Sequence, residues 1–274
     1  MNKNLNKIKV ACLQLNSQSN TDKNLKKIEK LISLAVQKGA NLIATPENSN
    51  VMHPNKDELL KICPTEKTSS FLIRIKEIAS ANSVWILIGS LIIKHSKNKL
   101  INRSYLINDS GNIVSKYDKI HMFDVMLSKN ESYNESALYK KGNKLSVAKT
   151  PWADVGMTIC YDLRFPNIYR KLALAGSKII FVPAAFTKTT GKAHWITLIR
   201  ARAIETGCFI VAPAQYGLHY KGRETFGNSI IVSPWGKIIK QKKSGVGLIL
   251  AELNLKEVKK YRESIPSLYL NNKY

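Results

Sequence analysis

The spacing of apolar residues along the first third of the chain alternates between two patterns. Three short apolar runs predict buried strands, over residues 8–15, 41–45 and 84–89. Apolar positions three and four residues apart predict helices between these runs, one from a cap at Thr21 or Asp22 to Lys38 and one over 69–81. This alternation of strands and helices predicts an α/β layer.

The remaining two thirds of the chain continue the alternation. Asp109-Ser110-Gly111-Asn112 predicts a hairpin turn between strands at 104–108 and 113–117. Residues 126–144 are polar and irregular, which favours a loop over a site. Further apolar runs predict strands over 155–159, 178–183, 208–214, 229–233, 237–240 and 247–252, and helices after Pro166 and over 193–205.

The chain contains no internal repeat, linker or low-complexity segment, which predicts one domain over residues 1–274. The core of this domain is expected over about 8–253, followed by a basic tail over 254–274. The absence of a signal-peptide core, and of any run near the ~20 apolar residues of a membrane span, predicts a soluble, cytoplasmic protein without a membrane partner.

The composition adds a formal charge of +24 and four cysteines. The 43 lysines and arginines are dispersed along the whole chain, so a general compositional bias explains them at least as well as a nucleic-acid-binding face. Specific nucleic-acid binding is therefore not expected. The cysteine spacings fit no zinc pattern, which argues against a metal site. A chain of this length does not need a disulfide framework.

Cys160 is the first candidate for chemistry. It ends the apolar run 155–159, and Pro166 suits the first turn of a following helix, so Cys160 is expected on a strand-to-helix turn facing a cleft. A thiol placed there is a candidate nucleophile. The alternative is a buried cysteine that packs as a small hydrophobe.

Two other positions follow predicted strands. Glu47 comes just after residues 41–45, where α/β folds bind ligands, although it is equally suited to cap a helix or to lie in a loop. Lys119 has apolar neighbours and follows residues 113–117, but a solvated lysine is the simpler interpretation in so basic a chain. His194 offers a possible base for Cys160, or equally a helix cap.

These segments together resemble the nitrilase, or carbon–nitrogen hydrolase, superfamily. Its glutamate, lysine and cysteine motifs match, in the family's order, ATPEN (44–48), YDKIHMFD (117–124) and GMTICYDLRFP (156–166). The resemblance spans nearly the whole chain and identifies Glu47, Lys119 and Cys160 as its catalytic residues. It also places a fourth catalytic residue at Glu135, within YNES (133–136).

The resemblance implies an α/β fold, a four-layer α-β-β-α sandwich in a single domain that pairs into homodimers or larger homo-oligomers. It implies hydrolysis of a small-molecule amide through a Cys160 thioester, with Glu47 as general base and no cofactor or metal. Lys119 and the backbone N–H of Tyr161 would stabilise the oxyanion. Glu135 would orient Lys119 or the substrate.

Within the superfamily, the chain most resembles the branch that contains ω-amidase and deaminated-glutathione amidase. The similarity lies in GKAHW (191–195), RARAIET (200–206) and PWG (234–236), whereas Asn228 stands where relatives usually carry histidine. The implied substrate is a 2-oxo acid ω-amide such as deaminated glutathione. Its expected binding residues are Arg164, Phe186, His194 and Trp195, with Arg223 as a further cation for a substrate carboxylate.

Arg164 is the first choice for that carboxylate contact, and an ion pair with Asp162 or another acid is the equal alternative for it. Two other functions stay open: hydrolysis of a different small amide or carbamoyl compound, and a basic nucleic-acid-binding protein that has kept an inactive fold. The intact set of Glu47, Lys119 and Cys160 argues against the second of these.

Overall fold

A computed structural model describes residues 6–129 and 131–270 of the chain. The two ends of the predicted domain (residues 1–5 and 271–274) and residue 130 of the predicted loop lie outside the described residues. The described strands are β1 (Lys7–Gln14), β2 (Leu42–Ala44), β3 (Trp85–Ser96), β4 (Lys99–Ile107), β5 (Ile113–Asp118), β6 (Asp124–Ser128), β7 (Glu131–Asn134), β8 (Ser146–Lys149), β9 (Asp154–Met157), β10 (Ile179–Phe181), β11 (Phe209–Ala212), β12 (Tyr216–Tyr220), β13 (Arg223–Phe226), β14 (Ser229–Val232), β15 (Ile238–Lys242) and β16 (Gly247–Asn254).

The helices lie between these strands and after the last of them. They are α1 (Thr21–Gln37), α2 (Lys56–Ile62), α3 (Ser70–Ala81), α4 (Pro166–Leu174), α5 (Lys188–Thr190), α6 (Ile196–Thr206) and α7 (Lys256–Ser264). A wide π-helical turn, Gly191–Trp195, joins α5 to α6. Among residues 6–129 and 131–270, every helix is too short or too polar to cross a membrane.

Twelve of the strands form two six-stranded sheets. The first has the order β16-β1-β2-β3-β4-β5 and the second has the order β15-β14-β11-β10-β9-β8. Strands β1, β2 and β3 run parallel, and two antiparallel steps bring β5 into the same direction. The carboxyl ends of β2 and β5 therefore lie at one edge of the first sheet, where Glu47 and Lys119 follow them.

Both faces of the first sheet are buried, because alternate residues of a strand point to opposite sides. Val10 and Cys12 of β1 pack in the core that also holds residues of the second sheet. Ala11 and Leu13 pack in a separate core with α1 and α3. Helices α4 and α6 pack against the outer face of the second sheet through residues such as Leu172. The four-layer α-β-β-α sandwich of one domain is thus confirmed.

Three local predictions differ from the structure. The side chain of Asn20, rather than Thr21 or Asp22, caps α1 by accepting a hydrogen bond from the Lys23 N–H at 2.9 Å. The predicted loop over 126–144 contains most of a two-stranded hairpin, β6 and β7. The described part of the predicted tail contains α7, whose Val258 is buried in the main core.

Candidate active site

The side chains of Glu47, Lys119 and Glu135 meet at one end of the sandwich. The Lys119 ammonium donates to Glu47 Oε1 at 2.9 Å and to both carboxylate oxygens of Glu135, at 2.9 and 2.8 Å. Glu47 and Lys119 are 3% and 2% exposed. Because both Lys119 neighbours are acidic and lie out of water, the pKa of Lys119 is held well above its ordinary value despite burial.

Glu47 is fixed by three donors. Asn102 Nδ2 and Lys119 Nζ each donate to Oε1 at 2.9 Å, and the Ala185 N–H donates to Oε2 at 2.8 Å. Burial alone would raise the pKa of Glu47, but the positive charge of Lys119, with help from the Cys160 thiol, outweighs it and lowers that pKa. Glu47 is therefore a carboxylate that can accept a proton.

Cys160 lies on the turn between β9 and α4, as the sequence predicts. Its φ of +50° is in the left-handed region, which is uncommon for a residue with a side chain. Its N–H donates to Pro183 O at 2.9 Å, which fixes the turn to the second sheet. Burial and the neighbouring Glu47 charge raise the pKa of the Cys160 thiol well above its ordinary value, so the thiol is protonated at neutral pH.

Glu135 follows β7 and closes the site on the side of the β6–β7 hairpin. Its Oε2 accepts from the Phe123 N–H at 2.7 Å as well as from Lys119. The hairpin that the sequence pattern missed thus has a structural consequence, since it presents the second carboxylate to Lys119.

A fully buried carboxylate, Asp162, joins the segment around Lys119 to the turn of Cys160. Its Oδ2 accepts from Tyr117 Oη at 2.7 Å and from the Ile159 N–H at 2.8 Å. Its Oδ1 contacts His121 Nδ1 at 2.7 Å and accepts from the His121 N–H at 3.1 Å. Tyr117 and His121 lie on either side of Lys119, so Asp162 sets the position of Lys119 relative to Cys160.

Asp162→Ala is expected to lower the free energy of unfolding by about 3 kcal/mol or more, because it leaves several buried donors without an acceptor. Tyr117→Phe removes only one of these donors together with its hydroxyl, and it should cost about 1 kcal/mol. Denaturant unfolding of the two variants and the wild type measures both values. Equal losses in the two variants would show that Asp162 does not act as the common acceptor.

A cavity of about 250 Å³ opens onto these groups. Its walls include Glu47, Lys119, Glu135, Cys160, Tyr161 and Phe186. The cavity also reaches Arg223 on β13 and Tyr133 on β7. Its mixture of aromatic and charged groups is typical of a small-molecule site.

Three of the four expected substrate-binding residues do not line this cavity. Arg164 donates to His194 Nδ1 at 3.3 Å and lies over the Phe186 ring, with its Cζ 5.3 Å from the ring centroid. His194 is exposed, whereas Trp195 is fully buried and donates from Nε1 to Asn228 O at 2.8 Å. Arg164 does not pair with Asp162 in the structure, because the oxygens of Asp162 accept from the donors given above.

Comparison with known proteins shows the family of the chain. A sequence profile described as carbon–nitrogen hydrolase matches residues 9–263. The chain belongs to the carbon–nitrogen hydrolase family. The expectation from the sequence motifs is therefore confirmed, and the protein is an enzyme of the class that hydrolyses carbon–nitrogen bonds.

Individual carbon–nitrogen hydrolases are similar over most of their length. A deaminated glutathione amidase of Yersinia enterocolitica is 40% identical, covering 96% of this chain and 92% of the relative. One from Synechocystis is 38% identical, covering 94% and 96%. The crystal structure of the Caenorhabditis elegans NitFhit protein matches with a TM-score of 0.92 and 31% identity, over 97% of this chain and 65% of that longer chain.

The structure adds residues to this site whose contacts the sequence did not predict. Asn102 holds Glu47, Asp162 holds the Lys119 segment, and Tyr133 packs against Arg223. Asp162 carried a usable signal, since a carboxylate two positions after a nucleophile on a tight turn can accept local N–H groups. Nothing in the sequence indicates the role of Asn102, because it lies inside an ordinary strand.

Proposed function

We propose that the protein is a thiol-dependent amidase in which Glu47, Lys119 and Cys160 carry the reaction. The observation behind this proposal is that a buried carboxylate bonded to a buried ammonium lines the same cavity as the Cys160 thiol, whose pKa that carboxylate raises. The Cys160 thiol gives its proton to Glu47 while its sulfur bonds to the amide carbon. Lys119 and the Tyr161 N–H stabilise the resulting oxyanion.

Collapse of this tetrahedral species breaks the carbon–nitrogen bond. The leaving nitrogen takes the proton from Glu47 and departs as ammonia, which leaves a thioester on Cys160. Glu47 then accepts a proton from a water molecule that attacks the thioester, and collapse breaks the carbon–sulfur bond. The thiolate recovers that proton, so the net reaction consumes amide and water and yields a carboxylic acid and ammonia. Glu135 holds the Lys119 ammonium in place throughout.

The proposed substrate is deaminated glutathione or a similar ω-amide of a 2-oxo acid. Two relatives at 40% and 38% identity carry the name deaminated glutathione amidase, and the cavity has the lining of a small-metabolite site. The experiment is ammonia release measured over a panel of deaminated glutathione, 2-oxo acid ω-amides, simple aliphatic amides, carbamoyl compounds and nitriles. A preference for aliphatic nitriles over every amide would contradict the amidase proposal.

We expect kcat/KM to be independent of pH between about 6 and 9, because the pKa of Glu47 lies below its ordinary range and that of Lys119 lies above it. As the pH rises, Glu47 has already lost its proton before the lower end of this interval. Lys119 begins to lose its proton only above the upper end. A pH–rate profile with a substrate that does not titrate in this range tests the expectation. A rise in rate centred near pH 7 would assign the general base to another group.

Two further properties are part of the proposal. Assembly into a homodimer or larger homo-oligomer is supported by exposed apolar residues Ile204, Trp235 and Ile265, which border one surface depression beside α7. A cytoplasmic location is supported by the four cysteines, which are all free thiols. Sedimentation of the purified protein and cell fractionation test these two properties.

A further inference from the structure

Arg223 brings a second positive charge to the cavity of the candidate active site. It begins strand β13 and lines the cavity wall beside the β6–β7 hairpin. Its Nη2 donates to Ala185 O at 2.7 Å, and its Cζ lies 5.0 Å from the centroid of the Tyr133 ring. Its Nη1 is buried and has no hydrogen-bond partner among the described residues.

A buried guanidinium nitrogen without a partner is costly, so its presence calls for an explanation. The two carboxylates nearest the reaction centre are not the missing partner of Nη1, because Glu47 and Glu135 both accept hydrogen bonds from Lys119. Those two carboxylates and the single ammonium of Lys119 leave one negative charge. Arg223 offsets that charge, and this allows a singly charged anion to enter the cavity without facing net repulsion.

Ala185 connects Arg223 to the general base. The Ala185 carbonyl accepts from Arg223 Nη2, and the Ala185 N–H donates to Glu47 Oε2 at 2.8 Å. One peptide segment thus fixes the guanidinium with respect to the carboxylate that activates Cys160. An anion held by Arg223 would consequently lie at a fixed distance from the attacked carbon, as substrate positioning requires.

We propose that Arg223 binds the substrate's carboxylate at the end of the molecule away from the amide. This inference rests on the proposed amidase function and names the residue that selects 2-oxo acid amides over neutral ones. The carboxylate takes the Nη1 donors and lies beside Tyr133, whose side chain shifts on the partly exposed hairpin to admit it. A guanidinium suits this task because it offers paired donors to a planar carboxylate.

The test compares two substrates of equal size, an ω-amide of a 2-oxo acid and the same amide with a hydroxymethyl group in place of the carboxylate. Arg223→Met should lower kcat/KM for the carboxylate substrate by roughly 10- to 100-fold and change that for the neutral analogue by less than about 3-fold. The carboxylate effect should appear mainly in KM. Equal losses with both substrates would overturn the proposal and assign Arg223 to the electrostatics of Glu47.

Arg164→Met is the matched control, since Arg164 lies near the site but outside the cavity wall. It should change both substrates by the same factor. Should Arg223→Met fail to fold, the wild-type enzyme still decides, because it must prefer the carboxylate substrate by at least ~10-fold in kcat/KM. A ratio near one in the wild type would overturn the carboxylate site.

Calorimetric binding of the product 2-oxo dicarboxylate separates this inference from the proposed function. Cys160→Ala protein should bind the dicarboxylate, and the double variant with Arg223→Met should bind it at least ~10-fold more weakly. Failure of all amides as substrates with this binding intact would contradict the amidase proposal alone. Turnover of amides with binding unaffected by Arg223→Met would contradict only the carboxylate site.

Discussion

Cys160→Ala should abolish ammonia release and leave a folded protein. The substitution removes only the sulfur atom, from a residue that is 8% exposed, so the packing around the turn changes little. No other group in the proposed mechanism can form the thioester, and the loss of turnover should therefore be complete within the sensitivity of the assay. Ammonia release and the circular dichroism spectrum of the same preparation provide the measurement.

Cys12→Ala is the control for removal of a thiol elsewhere. Cys12 is fully buried on β1 between the two sheets, so its loss leaves a small void. We expect that variant to lose about 1 kcal/mol of stability and to keep its rate per folded molecule. Near wild-type ammonia release from folded Cys160→Ala protein would contradict the proposed nucleophile.

Lys119→Met should lower kcat by at least ~10²-fold, the scale for losing one oxyanion donor. A second effect adds to this loss. Lys119 is the main charge that holds the pKa of Glu47 down, so without it the burial of Glu47 raises that pKa towards neutrality. The acid side of the pH–rate profile should therefore move to higher pH in the variant, and KM should change less than kcat.

Lys116→Met is the matched control, because Lys116 lies on β5, the strand that Lys119 follows, but pairs with Glu66 at the surface. Its kcat should stay within about 2-fold of the wild type. The Lys119 variant is also expected to be less stable, since two buried carboxylates lose their common partner. Rates must therefore be expressed per folded molecule. An unchanged kcat with a raised KM would assign Lys119 to substrate binding alone.

The strands before Glu47 and Cys160 were predictable because each is a compact apolar run that becomes a buried strand. The strand before Lys119 alternates between exposed and partly buried residues, and the turn residues 109–112 predicted it instead. A strand that is buried on both faces appears in the sequence as a continuous apolar run. Strands β6 and β7 lack it, since their residues alternate between exposed and half-buried positions and no apolar period results. Helix α7 was missed for the same reason, with Val258 as its only buried residue.

The choice between Arg223 and Arg164 as the cation beside the cavity could not be made from the sequence. The chain contains many arginines, and only the tertiary structure shows which of these two side chains reaches the cavity. Arg223 enters the cavity because β12 and β13 form a hairpin against the segment that contains Ala185. Arg164 follows Cys160 closely in sequence, but the tight turn points it towards His194 instead. Proximity along the chain was thus a poor guide to proximity in the cavity.

The division of the candidate site between the two sheets has a consequence for the newly made chain. Glu47 and Lys119 follow strands of the first sheet, whereas Cys160 follows a strand of the second. Neither sheet alone places the thiol beside its base. A nascent or half-assembled chain therefore carries only an ordinary cysteine, and its capacity to attack carbonyl compounds arises in the step that closes one sheet onto the other.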